Sequence, residues 1–305
     1  MDTDKSGNWL ATLESLALIS VSGVDSESFL QGQLSNDVTA LGPDRPAQLS
    51  SLSTARGRVF SVMLVIRNSA HDFGLVVPKA GTSELLNRLR MFVLRSKVAL
   101  AETPEAHFQG LSGTMAERFF DAESAPASRW QARWLSDGQL AIRWPDPNPR
   151  VLSVSLAPAE PSQAPADDER WWQRDISAGI PWITSEATRE EFVAQMLDLD
   201  LLEGISFQKG CYTGQEVIAR THYLGRVKRR LRRYGIDEEN VIPGAHIEAQ
   251  LPNGRWQKAG SVLLAGQSEV LAVLQLELAQ HALRLAARGE HEAPGGTLTP
   301  LELPR

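Results

Sequence analysis

Lys209-Gly210-Cys211-Tyr212-Thr213-Gly214-Gln215-Glu216 gathers, within eight residues, the only cysteine of the chain, an ammonium, a carboxylate and two glycines. Glycine reaches backbone conformations closed to other residues, so this segment predicts a sharply turned loop around an accessible thiol. A free thiol titrates near about 8.5, and a neighbouring cation or clustered amides lower that value and give a nucleophilic or redox-responsive thiolate. Lys209 is the nearest candidate for that cation. The ordinary fate of a lone cysteine is a small, inert core residue. Polar residues and glycine dominate here, a poor setting for a packed position, and they weigh towards presentation.

The segment sits in a chain of 305 residues, room for two or three domains at roughly 150 residues each. Hydrophobic residues make up 42% and charged residues 22%, as in an ordinary globular protein and unlike a disordered one. With 31 Lys and Arg against 37 Asp and Glu the net charge is −6, which excludes a surface built throughout to grip nucleic acid or an anionic membrane. One cysteine excludes an intrachain disulfide and points to a reducing compartment. It also cannot supply the four thiolates of an ordinary iron–sulfur site or a Cys-rich zinc site. Met1-Asp2-Thr3-Asp4-Lys5 lacks the basic and apolar regions of a signal peptide, and no stretch approaches the roughly 18 apolar residues that span a bilayer. The expected location is the cytoplasm, with no membrane partner.

Towards the amino terminus, helices and strands alternate. Asp25 is placed to cap a helix carrying Phe29 and Leu30; residues 57–68 read as a long strand pairing with 74–78. Leu85, Leu86 and Leu89 give helical spacing to 81–92, and 96–100 is strand-like. The Pro-dense run Trp144 to Pro149 and the Pro/Ala/acidic run Ala157 to Glu169 read as connectors around a middle unit. After Gly225 the chain becomes short strands and turns, with Leu276 to Ala287 readable as a surface helix or a strand. Strands mixed with helices and hairpins predict an α+β class. Neither GxGxxG after a strand nor GxxxxGK[ST] occurs, so dinucleotide and P-loop chemistry find no support.

Arg226, Lys228, Arg229, Arg230, Arg232 and Arg233 crowd one short stretch. Strand alternation would put Arg226, Lys228, Arg230 and Arg232 on one face and Val227 and Leu231 on the other. Such a stripe is either a solvated barrel face or a seat for phosphates, a polyanionic ligand or an acidic partner. Trp171 and Trp172, read as strand neighbours, would face opposite sides, one of them available to stack on a flat ring. The six histidines show no ligand-like pair, and no metal site is assigned.

The segment at Lys209 to Glu216 resembles the signature K-G-C-[FY]-x-G-Q-E of YgfZ-type folate-binding proteins, relatives of the glycine-cleavage T-protein, an aminomethyltransferase. The resemblance extends to Asp175-Ile176-Ser177-Ala178-Gly179-Ile180-Pro181, Phe192-Val193-Ala194-Gln195, Gly204-Ile205-Ser206-Phe207, Val217-Ile218-Ala219-Arg220 and Lys228-Arg229. Near the start, Gly23-Val24-Asp25-Ser26 and Phe29-Leu30-Gln31-Gly32-Gln33-Leu34 are similar too. It is patchy from about residue 100 to 165 and otherwise spans the chain.

The resemblance implies a three-part fold around a central folate-binding opening. A discontinuous ferredoxin-like unit (1–48 with 160–226), a second such unit (49–159) and a carboxyl-terminal β-barrel (227–305) would form it. It further implies tetrahydrofolate as ligand and support of iron–sulfur enzymes or assembly factors, including enzymes that thiolate tRNA. Cys211 is then the required thiol, with Lys209 favouring its ionised form and Gln215 and Glu216 orienting ligand or partner. Trp171, Tyr212 and Arg220 would line the folate site. Departures bear on the ligand. Gly57 to Val62 has no carboxylate where T-proteins carry theirs, so aminomethyl transfer loses its acidic group. Ser177 replaces a pterin-contacting Glu, the position near Leu16 is not aromatic, and Thr54 replaces the Asp that opens the family's turn, although Arg56-Gly57-Arg58 persist. No general base and electrophile pair can be placed, so independent turnover is not implied. Two other readings stand: a tetrahydrofolate-dependent aminomethyl or one-carbon transferase, and a tRNA-associated module using the Arg226 to Arg233 stripe.

Overall fold

β4 (Val59–Arg67, VFSVMLVIR) shows why one sheet organises the molecule. Strand alternation sends Val62, Leu64 and Ile66 into one apolar cluster and Met63 and Val65 into another, so this run is buried on both faces. A computed structural model describes residues 7–120, 130–135, 138–156, 164–287 and 295–304; Met1–Lys5 and residues 157–163 of the expected second connector lie outside that set.

In chain order before β4 come β1 (Trp9–Thr12), β2 (Leu16–Ser22), α1 (Ser26–Gln33) and β3 (Ala47–Ser53). After it come β5 (Asp72–Pro78), α2 (Thr82–Arg90), β6 (Ala99–Glu102), β7 (His107–Ser112), the short α3 (Thr114–Glu117), β8 (Ala132–Trp134), β9 (Gln139–Arg143) and β10 (Arg150–Ser155). The first sheet has the order β3-β4-β5-β2-β6 and the second β1-β7-β10-β9-β8; every named pair is antiparallel. Only Leu13 to Ser15 separate β1 from β2, yet the two strands join different sheets. Each sheet therefore draws strands from both sides of residue 48.

One face of the first sheet is covered by Phe29 and Leu30 of α1 and Leu85, Leu86 and Leu89 of α2. The other packs on Phe108, Leu140, Ile142, Leu152 and Val154 of the second sheet. Asp25 precedes α1 as expected, but its carboxylate accepts from the Lys97 amide (2.7 Å) instead of capping the helix.

α4 (Asp168–Ala178) and α5 (Gln215–Tyr223) follow, then β11 (Arg229–Ile236), β12 (His246–Gln250), β13 (Trp256–Ala265), β14 (Glu269–Gln275), β15 (Leu283–Leu285) and β16 (Thr297–Leu301). These six strands close into a barrel, β11-β14-β13-β12-β15-β16, with β16 pairing back onto β11. The barrel has its own interior, including Ile247, Val262, Ala272 and Leu283, while its outward Leu231, Leu263, Leu271 and Val273 merge with the core between the sheets. Fold class α+β, with two sheets and a closed carboxyl-terminal barrel, is what the chain adopts.

Two sequence readings change, and one of two open alternatives is decided. Trp171 and Trp172 stand on α4, not on a strand. The Trp144 to Pro149 run is the β9–β10 connection, drawn inward because Trp144 is fully buried and Asp146 pairs with Arg150 (3.0 Å) and Arg174. Within Leu276 to Ala287, Leu283–Leu285 form a barrel strand.

Beneath α4 lies a charged core invisible in the sequence pattern. The carboxylate of Asp175, completely buried, accepts from Trp144 Nε1, Trp182 Nε1 and Arg150 Nη2, each at 2.7 Å. Burial pushes the Asp175 carboxyl up and the Arg150 guanidinium down, and the opposite charge beside each works against that push. A buried pair of this kind adds little net stability, but removing one partner costs about 3–5 kcal/mol.

Candidate functional site

The thiol loop is strapped to the turn that ends α1. Ser206 N donates to Ser35 O (3.0 Å), Ser35 Oγ to Gly204 O (2.7 Å), Asn36 Nδ2 to Glu203 O (2.7 Å) and Thr213 N to Gly32 O (3.2 Å). The central fastening is Lys209, whose Nζ donates to Gln31 O (2.7 Å), Leu34 O (2.7 Å) and Asn36 O (2.9 Å). An ammonium has three donors, and these carbonyls use all of them. Burial draws Lys209 down from 10.5 to about 8, with Asp37 pulling the other way. Lys209 thus corrects the expectation of a cation aimed at the thiol: it is a buried clamp, 8% exposed, that ties the loop to α1.

Cys211, two residues on, is exposed, as the glycine-rich surroundings predicted. Tyr212 is not available as a ligand surface. Its ring is buried under Lys209 Nζ (4.9 Å to the centroid), and burial pushes its hydroxyl up to about 12. Gln215 turns back on its own loop, its Oε1 accepting from Tyr212 N (3.2 Å). Glu216 and Arg220, four residues apart, are both exposed on α5.

Two glycines let this loop dock on the first sheet. Gly214 precedes α5 at φ +85°, and a Cβ there would stand 2.5 Å from Thr54 O. Gly57, in the turn before β4, has φ +70°, and a Cβ there would strike Val217 Cβ at 2.6 Å. The Phe192 to Gln195 segment completes the joint: Val59 N donates to Phe192 O (2.8 Å), and Gln195 Nε2 donates to Ile218 O (2.6 Å).

Trp171 requires a second correction. It is completely buried, packed against Trp9 and Trp144 with the Arg150 guanidinium 4.4 Å from its ring centroid, and no face is left for a ligand. Its neighbour Trp172 is half-buried and lines a cavity of about 760 Å³ between α4 and the barrel, with Gln173, Ile176, Thr184, Val241 and Leu264. The Trp172 indole N–H donates to Ser15 Oγ (2.8 Å), which fixes the ring. Gln173 Oε1 in the same wall is buried with no hydrogen-bond partner. Ile183 lines a separate small cavity beside Phe60, Ser61 and Arg189. Ser177 Oγ donates to Glu269 Oε2 (3.1 Å), and Leu16 is a buried core residue.

The basic stripe is partly consumed. Arg230 donates to both oxygens of Asp200 (2.7 and 2.9 Å), to Asp198 (3.1 Å) and to Gln195 O (3.0 Å), and Arg233 forks onto Glu269 (2.6 and 2.8 Å). Arg226 and Lys228 precede β11 and are exposed.

Comparison with known proteins bears on this arrangement. The chain is 31% identical over 291 residues to the tRNA-modifying protein YgfZ of Sodalis glossinidius, covering 90% of this chain and 87% of the relative. The chain belongs to the YgfZ family. No protein-family profile matches it. Among solved structures, glycine cleavage system aminomethyltransferase T from Bartonella henselae is similar over 98% of this chain and 86% of its own, with a TM-score of 0.72 and 13% sequence identity. This YgfZ-family chain therefore shares the aminomethyltransferase fold. Clustered metal ligands are absent among the described residues, and no helix there is long and apolar enough to cross a membrane.

Proposed function

We propose that this chain is a folate-binding accessory protein of tRNA modification, which supports iron–sulfur clusters in client enzymes through Cys211. The observation that carries the reading is an exposed thiol on a loop held by a three-carbonyl lysine clamp, within a YgfZ family chain. The clamp fixes where the sulfur stands, so a client meets a positioned thiol and not a wandering one. One thiolate serves a cluster held mainly by another protein; it cannot house one. Independent turnover forms no part of the proposal, and the cytoplasm is the compartment that suits a lone reduced thiol.

Tetrahydrofolate fits the cavity at Trp172. A volume of about 760 Å³ is in the range of small-molecule sites, and the indole offers a face for a flat ring. The transferase alternative is disfavoured by Ser61, which leaves no carboxylate to handle the amine.

The test combines tetrahydrofolate titration of the wild type, Cys211→Ser and Trp172→Ala with the activity of iron–sulfur, tRNA-thiolating enzymes in cells carrying each. Cys211→Ser should bind folate normally and fail in cells, while Trp172→Ala should bind about tenfold more weakly. Full cellular activity of Cys211→Ser refutes the thiol role, and unchanged affinity of Trp172→Ala refutes the cavity.

A further inference from the structure

At the far end of α5 from the thiol loop, three rings form an open notch. Phe207 and His222 are stacked, with centroids 3.7 Å apart and an interplanar angle of 15°. Tyr223 stands on edge to His222 at 4.7 Å and 81°. Phe207 is half-buried and packs on the central core, so the stack has a fixed base. His222 is exposed and Tyr223 is 64% exposed, which leaves an imidazole floor and a perpendicular phenol wall facing solvent. A two-ring parallel stack seated in a core is completed by a third flat ring on its outer face.

Along the chain through and beyond His222 the charge has one sign. No Asp or Glu occurs from Val217 to Ile236. Arg226 and Lys228 follow within six residues of His222, are exposed, and form no ion pair among the described residues, unlike Arg230 and Arg233. Flat rings joined by anions at short, regular intervals are what such a surface fits. Stacking platforms beside unpaired cations are the means by which single strands are held without base-edge readout.

We propose that the Phe207–His222–Tyr223 notch, with Arg226 and Lys228, binds an unpaired segment of RNA, one base stacking on His222 and the adjoining phosphates meeting the two cations. The choice of RNA rests on the proposed role in tRNA modification; the notch and its charge stand independently of the folate cavity and the thiol.

The test measures fluorescence anisotropy of a terminally labelled, unmodified RNA hairpin with a single-stranded loop, against the wild type, His222→Ala and the double variant Arg226→Glu/Lys228→Glu. All three positions are exposed, and a thermal melt checks that each variant folds. His222→Ala should bind roughly tenfold more weakly. The double variant should reduce the slope of log affinity against log salt by about 1.4, at about 0.7 for each lost phosphate contact on a single strand. Four results overturn the proposal: no binding by wild type at low salt, equal binding by His222→Ala, equal affinity for a fully paired RNA, or His222-dependent binding of an oligoglutamate peptide in place of RNA. Equal affinity for DNA of the same sequence overturns the assignment to RNA. Folate titration of the same variants separates the outcomes, since loss of folate binding in the wild type would count against the proposed function and leave the notch untouched.

Discussion

Gly57 and Gly214 meet back to back: a Cβ on Gly214 would stand 3.1 Å from the Gly57 Cα and 2.5 Å from Thr54 O. Both residues have positive φ, +70° and +85°. The thiol loop and the turn before β4 therefore approach to backbone distance, which only two glycines permit. Gly214→Ala combines left-handed strain with a collision against backbone and should destabilise the protein by about 2–4 kcal/mol. Chemical denaturation checks it. A loss below about 0.5 kcal/mol would show that the joint yields easily.

Trp171→Phe separates core packing from ligand contact. With no exposed surface on Trp171, the substitution should cost about 1–3 kcal/mol of stability through a cavity beside Trp9 and Trp144. Tetrahydrofolate affinity of the folded variant should match the wild type. A tenfold weaker affinity at full stability would return Trp171 to the binding site.

Arg230→Ala tests whether that residue is a strut or a phosphate ligand. It joins the barrel to the 195–200 segment through Asp198 and Asp200, with Asp198 nearly inaccessible. Removing the guanidinium should destabilise by about 2–3 kcal/mol. RNA affinity should change less than for Arg226→Glu/Lys228→Glu, and the reverse order would make Arg230 part of the RNA surface.

Lys209 predicts a pH signature of opposite sense to a surface lysine. Its native value is lowered to about 8 from 10.5, so the native protein sheds this proton before the unfolded chain does. Below about 8 both states hold the proton and the contribution is flat; between about 8 and 10.5 the unfolded state binds more protons, and stability contributed here rises with pH. Lys209→Met lacks that rise and also leaves three carbonyls without their donor, at about 2–4 kcal/mol. Unfolding free energies of the two proteins from about pH 7 to about pH 10 give the comparison. A constant difference throughout would mean the carbonyls keep the ammonium charged in the native state.

What was legible in the sequence was what depends on local pattern. The alternation in β4 and its pairing with β5, the leucine spacing of α2, and the strand-and-turn rhythm of the barrel follow from side-chain period and turn chemistry. Exposure of Cys211 followed from glycine and polar neighbours. The errors share a cause. Lys209 stands two residues from Cys211, but its direction is set by carbonyls at 31, 34 and 36, far away in the chain. Trp171 and Trp172 look equivalent as neighbours, and only the positions of Arg150 and Trp144 decide which one is sealed. A cation's role likewise depends on distant acids, as Asp200 and Glu269 show for Arg230 and Arg233. The Phe207–His222 stack joins residues fifteen apart, and its only sequence signal was the adjacent His222-Tyr223 beside unopposed positive charge.

The division of the first two strands between separate sheets has a consequence for biosynthesis. Trp9 lies opposite Ser112, and Leu16 opposite Pro78, so a nascent chain carries both leading strands unmated while their mates are still being translated. At 5–20 residues per second the wait for the first is on the order of 5–20 s. The mate of Leu16 follows sooner, after about 3–12 s, so both apolar ribbons stand open to chaperones or to self-association only over that shorter span, and fusing a bulky tag ahead of Trp9 would burden both sheets at once.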